Sequence, residues 1–270
     1  MENFNDNVPE REKRGFFKVF DICFHRFSKL IGINLLYTVC SLPVILIYFL
    51  LSSVISSSLI PAGIENYETT VSALSGTIAI FIFMTLGGGP LAPGFIYVIR
   101  NFCRREHSFV VSDFFEHVKK NLRQSIVVFL IDILFVLLIL FNLNAVFTNP
   151  GMFFGYHVPY TFLMGVISVL YIGARLYLYP LMVTFKSPLK TIFKTSVLLC
   201  MLKLPQSVLM VILTALIFYA VSLLPFVFFA FFITPVFLIS FVGVINMVFS
   251  YEIIKKNIAM DNENDENKPF

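Results

Sequence analysis

The chain has 270 residues, of which 58% are hydrophobic and only 13% charged, with a mean hydropathy of +0.86 and a net charge of +4. Soluble domains average roughly 45–50% apolar and about 25% charged residues. This composition therefore excludes a secreted disulfide scaffold, a nucleic-acid binder and a disordered protein, and it argues against a water-soluble enzyme.

In chain order, residues 1–13 are polar and read as a disordered cytoplasmic N-terminus. No signal peptide is legible, so the first apolar run is expected to remain as a span. A transmembrane helix needs about 20 mostly apolar residues. Six stretches qualify, at 30–51, 71–99, 125–147, 160–185, 206–224 and 226–249. The last two are separated only by the Leu224-Pro225 step and together exceed one bilayer crossing, so they read as a tight hairpin. The fold class is thus an all-α integral membrane protein, with one membrane domain over 14–254. The acidic, Asn-rich residues 255–270 read as a disordered cytoplasmic tail.

Charge placement fixes the orientation. Segment 1–29 carries six Lys and Arg residues, 100–123 six more, 186–203 four and the tail three, whereas the connections 52–70 and 148–159 and the Leu224-Pro225 turn carry none. Positive residues concentrate on the cytoplasmic side. Both termini are therefore expected in the cytoplasm, with the protein multi-pass in the cytoplasmic membrane. The four cysteines, Cys23, Cys40, Cys103 and Cys200, form no CxxC pair and read as free thiols.

The cytoplasmic segments are amphipathic. In 14–31 the polar residues Arg14, Lys18, Asp21, His25 and Ser28 oppose Phe16, Phe20, Cys23, Phe24, Phe27 and Ile31. In 109–123 Asp113, Glu116, Lys120 and Arg123 oppose Val111, Phe114, Phe115, Val118 and Leu122, and 187–203 has the same period. Such a 3.6-residue pattern predicts three helices lying at the cytoplasmic interface. Each precedes an outward span, and the junctions Asn121-Leu122-Arg123-Gln124-Ser125-Ile126 and Lys203-Leu204-Pro205-Gln206-Ser207-Val208 look alike. Either the chain repeats one unit three times in parallel, or any amphipathic segment before a span would look this way.

Several short motifs carry a family resemblance. They are Phe20-Asp21 through Asn34-Leu35-Leu36, Cys40-Ser41-Leu42-Pro43-Val44, Gly89-Pro90 followed by Tyr97-Val98-Ile99-Arg100-Asn101, Asp113-Phe114-Phe115, Lys120-Asn121-Leu122-Arg123-Gln124, and Tyr179-Pro180-Leu181. Over about residues 15–250 the sequence resembles the YesL-like family of bacterial membrane proteins. That family has no defined biochemical function, and its members are typically encoded beside carbohydrate ABC importers. The resemblance implies a role in carbohydrate uptake, with importer subunits as expected partners beside the lipid bilayer, and leaves the oligomeric state open.

Two features inside the expected spans could carry chemistry. Asp132 and Arg175 lie roughly 13 Å and 15 Å from the cytoplasmic ends of consecutive spans at ~1.5 Å per residue, so they can pair. A charge at a helix centre costs about 2.5–3.5 kcal/mol on insertion scales, which favours a structural clasp or a polar site on a solute or proton path. The stretch with Gly87, Gly88, Gly89, Pro90 and Pro93 breaks the second span, as transporters do at substrate sites, or kinks it for close packing. Cys103, His107 and His117 are the one conceivable metal set, and their place in a basic segment argues against it. No phosphate loop, zinc motif or nucleophile elbow occurs. The chain reads as a non-enzyme without cofactor or metal: an accessory component of a carbohydrate uptake system or, alternatively, a small permease.

Overall fold

The computed structural model of the protein describes residues 15–59, 89–148, 156–185, 187–222 and 237–266. Among them the chain is helical: α1 (Phe16–His25), α2 (Phe27–Leu59), a 3-10 turn (Gly89–Leu91) entering α3 (Ala92–Cys103), α4 (Val110–Thr148), α5 (His157–Thr184), α6 (Leu189–Leu202), α7 (Leu204–Ser222) and α8 (Ile239–Glu266). Gly87 and Gly88, the 71–88 part of the second expected span, the Leu224-Pro225 turn, the 226–236 part of the sixth span and residues 1–13 lie outside the described residues.

The lengths and compositions are those of a membrane protein. Val110–Ile139 and Val158–Thr184 are each long and apolar enough to cross a bilayer, and the spans expected at 125–147 and 160–185 fall mostly within them. Leu189–Leu202 and Leu204–Ile217 reach that standard only as a pair, bent by 95°. Phe27–Pro43 and Ile239–Ile254 are shorter apolar stretches. Helix α4 has 39 residues, about 58 Å at the helical rise, so it projects well beyond a ~30 Å hydrocarbon layer.

The three amphipathic segments join their neighbouring helices in three different ways. Helix α1 closes at Arg26, whose N–H still bonds the Ile22 carbonyl at 3.0 Å, and α2 starts at the next residue. Segment 109–123 is not a separate interfacial helix, because α4 runs through the junction unbroken. Between α6 and α7 the chain turns by 95°. The physical difference lies in the junction residues. Positions 121–126 contain neither Gly nor Pro, whereas Pro205 lacks the amide a continuing helix would need and fits the first turn of a new one. Residues 255–266, expected as part of a disordered tail, continue α8 to Glu266, since each residue added to an existing helix gains a hydrogen bond without a new nucleus.

Helix α3 sits at the centre, packed against α2, α4, α5 and α8. Its Phe95, Val98, Ile99 and Phe102 are buried, and Tyr37 of α2 lies 4.6 Å from the Phe95 ring. The opposite kind of surface is the exposed stripe Leu130, Leu134, Leu138 and Phe141 on α4, whose helical spacing presents one apolar face to lipid. Between helices in lipid the hydrophobic effect contributes little, so association rests on close packing and hydrogen bonds. Gly94 supplies the closest approach. A Cβ there would stand 2.4 Å from the Phe114 carbonyl oxygen and 2.6 Å from Val118 Cγ2 on α4. Gly94→Ala is expected to push α3 from α4 and to cost about 1–3 kcal/mol by overpacking. Thermal unfolding in detergent checks this, and an unchanged midpoint would contradict the contact.

Candidate functional site

Helices α4 and α5 bring Asp132 and Arg175 together. An Arg175 guanidinium N–H donates to Asp132 Oδ2 at 2.5 Å, and both residues are 2% exposed. The other carboxylate oxygen accepts the Tyr171 hydroxyl at 2.6 Å. Tyr171, Arg175 and Tyr179 are spaced four residues apart, so they form one stripe along α5. The Arg175 guanidinium lies 4.5 Å from the Tyr179 ring centroid and donates to its oxygen at 3.3 Å. Phe135 of α4 stacks on Tyr171 at 3.9 Å. Farther along the same two helices, the Tyr160 hydroxyl donates to the Asn142 side-chain oxygen.

The same network reaches the turn that leads into α3. Gly89 has φ +72°, a left-handed conformation that glycine adopts without the steric cost of a side chain. Its carbonyl accepts the Tyr179 hydroxyl at 3.3 Å, and the Pro90 carbonyl lies 3.1 Å from the Ser125 hydroxyl, whose one proton it shares with the Asn121 and Leu122 carbonyls at 3.0 Å. Pro93 is buried in the first turn of α3, where a missing amide is tolerated. Thus the Gly89 and Pro90 carbonyls each have a side-chain hydroxyl of α5 or α4 within hydrogen-bond reach. Asp132, Arg175, Tyr179 and Gly89 form one chain of polar contacts, in which Asp132 has a donor on each oxygen. Chemically this arrangement holds helices in register.

Sequence reading missed Tyr171, Tyr179 and Ser125. The available signal was the i, i+4 placement of two hydroxyl-bearing rings around an intramembrane arginine. Nothing in the sequence pairs Ser125 with Pro90, 35 residues away.

A second polar constellation lies where α3, α4 and the end of α5 meet. Local backbone chemistry builds it. The N–H groups of Arg105 and Glu106 return to the Phe102 and Asn101 carbonyls at 3.1 and 2.9 Å, closing α3 with Arg105 at φ +59°. This is the Schellman pattern with arginine where glycine is usual. Arg105 is held by Asp21 of α1 at 2.8 Å. Asp113, in the first turn of α4, then reaches back to accept the Ser108 hydroxyl at 2.6 Å and the Phe109 N–H at 3.0 Å, satisfying a donor that the helix start leaves open. The tight turn sets α3 against the first turns of α4 and encloses a cleft of about 610 Å³. The rings of Tyr97 and His117 stack there at 3.3 Å, and the Arg100 guanidinium lies 4.5 Å from the Tyr97 centroid.

Cys103, His107 and His117 make separate contacts. His107 meets the Phe109 ring edge-on at 4.8 Å, while Cys103 is buried at the end of α3. Burial pushes the Cys23 thiol up to about 11 and that of Cys103 up to about 12. Among the described residues no three His, Cys, Asp or Glu side chains converge as a metal site would require.

The family described as "Protein of unknown function, DUF624" matches residues 74–143. That stretch holds Gly89, Pro90, all of α3, the cleft residues of α4 and Asp132, and the match is consistent with the YesL-like resemblance. No curated protein and no solved structure matches the chain.

Tyr179 joins the ion pair to the turn that enters α3. Tyr179→Phe keeps the ring and removes the hydroxyl that bridges Arg175 and the Gly89 carbonyl, so it is expected to cost about 0.5–1.5 kcal/mol of stability. Unfolding midpoints of the purified variant check this. A midpoint equal to that of the unaltered protein would show that the hydroxyl bond carries no weight.

Proposed function

We propose that this membrane protein is a non-catalytic accessory component of a carbohydrate uptake system, working with importer subunits rather than moving solute alone. The link to carbohydrate uptake rests on the YesL-like resemblance. The accessory role is supported by one observation: among the described residues, the acceptors that a permease would aim at its substrate, the Gly89 and Pro90 carbonyls and the Asp132 carboxylate, are met by side chains of the protein itself. Transporters use broken helices because freed backbone groups can bind a ligand. Here the Gly89 and Pro90 carbonyls are taken by Tyr179 and Ser125, and Asp132 is taken by Arg175 and Tyr171. A bundle whose central carboxylate and turn carbonyls accept hydrogen bonds from its own side chains suits a scaffold.

In this reading both termini and the basic segments face the cytoplasm. Arg26 lies near the Phe102 ring and Arg104 near Tyr251 of α8, each at 5.9 Å, while Arg105 meets Asp21. Cations from the α1–α2 junction and the α3–α4 turn therefore lie around the C-terminal end of α3, a placement that suits the cytoplasmic face.

Reconstitution into liposomes tests the proposal. The protein alone is expected to give no saturable uptake of a labelled oligosaccharide, and to co-purify in fixed proportion with the permease subunits of a carbohydrate importer when both are produced in one membrane. Saturable uptake without partners would overturn the accessory reading in favour of a permease.

A further inference from the structure

The cleft between α3, α4 and the end of α5 contains cationic and neutral polar side chains and no carboxylate among its described lining residues. Arg100, His117 and Lys120 face it together with Tyr97, Gln124 and Thr184. Arg100 is 8% exposed. One of its terminal nitrogens donates to the Val183 carbonyl at 2.9 Å and the other to the Asn101 side-chain oxygen at 3.3 Å. Both acceptors are neutral. Glu106, whose field reaches Arg100, is itself engaged with Arg104 at 2.9 Å. A guanidinium buried this deeply is costly unless its charge is compensated.

Two further atoms point the same way. Arg100 Nε and the Thr184 hydroxyl are both buried, and neither has a hydrogen-bond partner among the described residues. Buried donors without partners are uncommon in folded chains, and each calls for an explanation. Arg100 caps the end of α5 through Val183, which accounts for one nitrogen only. Cap formation explains neither Lys120, which shares the cleft from α4, nor the unmet Thr184 hydroxyl.

We propose that this cleft binds a phosphate-type anion. A phosphate offers several acceptor oxygens and up to two negative charges, and guanidinium groups match that geometry with paired donors. Arg100 supplies the buried charge, Lys120 a second charge from the neighbouring helix, and Thr184 and Gln124 neutral donors. The cleft is open, and its volume of about 610 Å³ admits either the headgroup of an anionic lipid or a free phosphorylated solute. Basic pockets between membrane helices hold lipid headgroups by the same chemistry. This inference is independent of the carbohydrate assignment, because it rests on the lining residues alone.

The test is equilibrium binding of radiolabelled inorganic phosphate to the full chain in a neutral detergent. Saturable binding is expected, weakened about tenfold or more by Arg100→Gln, as befits loss of a charged donor. Because Arg100 also caps α5, that variant can fail to fold. Lys120→Gln on an exposed position and the isosteric Thr184→Val therefore accompany it, and each is expected to weaken binding while leaving the unfolding midpoint within a few degrees. Phosphatidylcholine nanodiscs doped with phosphatidylglycerol separate the sources. Retained phosphatidylglycerol that blocks phosphate binding, and is lost in Lys120→Gln, assigns the cleft to a lipid headgroup. Undiminished phosphate binding in the same discs assigns it to a soluble phosphate. Absence of both saturable phosphate binding and selective phosphatidylglycerol retention, or binding indifferent to Lys120→Gln and Thr184→Val, would overturn the proposal.

Discussion

A carboxylate and a guanidinium buried between two apolar helices are tolerated at least cost when each faces the other. Asp132 and Arg175 meet that condition, and the rest of the described bundle is arranged around it. Each charge alone would cost about 2.5–3.5 kcal/mol at a helix centre. Together, with Tyr171 on one carboxylate oxygen and Tyr179 against the guanidinium, they neutralise one another in a setting where water cannot compete. The result is a single permitted register of α4 on α5. A one-residue slip would rotate one partner away by about 100°, the angle per residue of a helix with 3.6 residues per turn.

That register also governs how α5 and α4 meet the Gly89–Leu91 turn. Tyr179 is one turn beyond Arg175, so fixing the arginine fixes the hydroxyl that meets Gly89. Ser125 is two turns before Asp132, and its hydroxyl meets Pro90. The Gly89–Leu91 turn then has side-chain hydroxyls in reach of both carbonyls in an apolar interior. From Pro90 onward the chain enters α3, where Gly94 allows the helix to lie directly against the Phe114 carbonyl. Ion pair, turn and close packing are one connected device. It also brings α3 alongside the first turns of α4, and so forms the basic cleft at Arg100 and Lys120.

Much of this is legible in the sequence because it depends on spacing and hydropathy. The apolar runs at 125–147 and 160–185 appear as long helices. The equal depth of Asp132 and Arg175 comes from counting helical rise. What cannot be read depends on contacts between distant residues. The Tyr179 bond to Gly89 spans 90 positions, and the Arg100 bond to Val183 spans 83. Junction chemistry decides what periodicity does not: Pro205 turns α6 into α7, while the corresponding stretch without proline lets α4 continue unbroken. The periodicity at 109–123 marks a helix but not its membership of a longer one, because amphipathic and apolar segments join without a signal when no breaker separates them. Residues 255–266 show the converse, with polar composition arguing for disorder and continuation of an existing helix prevailing.

The bundle so described requires energetic coupling between Asp132 and Arg175. A double-mutant cycle with Asp132→Asn, Arg175→Met and the two combined, assayed by reversible unfolding in bicelles, measures it directly. Each single change is expected to cost about 3–5 kcal/mol by leaving a buried charge uncompensated. The double variant should then cost less than the sum by about 2 kcal/mol or more, within the range seen for contacting charged partners. Costs that add to within about 0.5 kcal/mol would mean the two residues act independently, and would contradict the arrangement described.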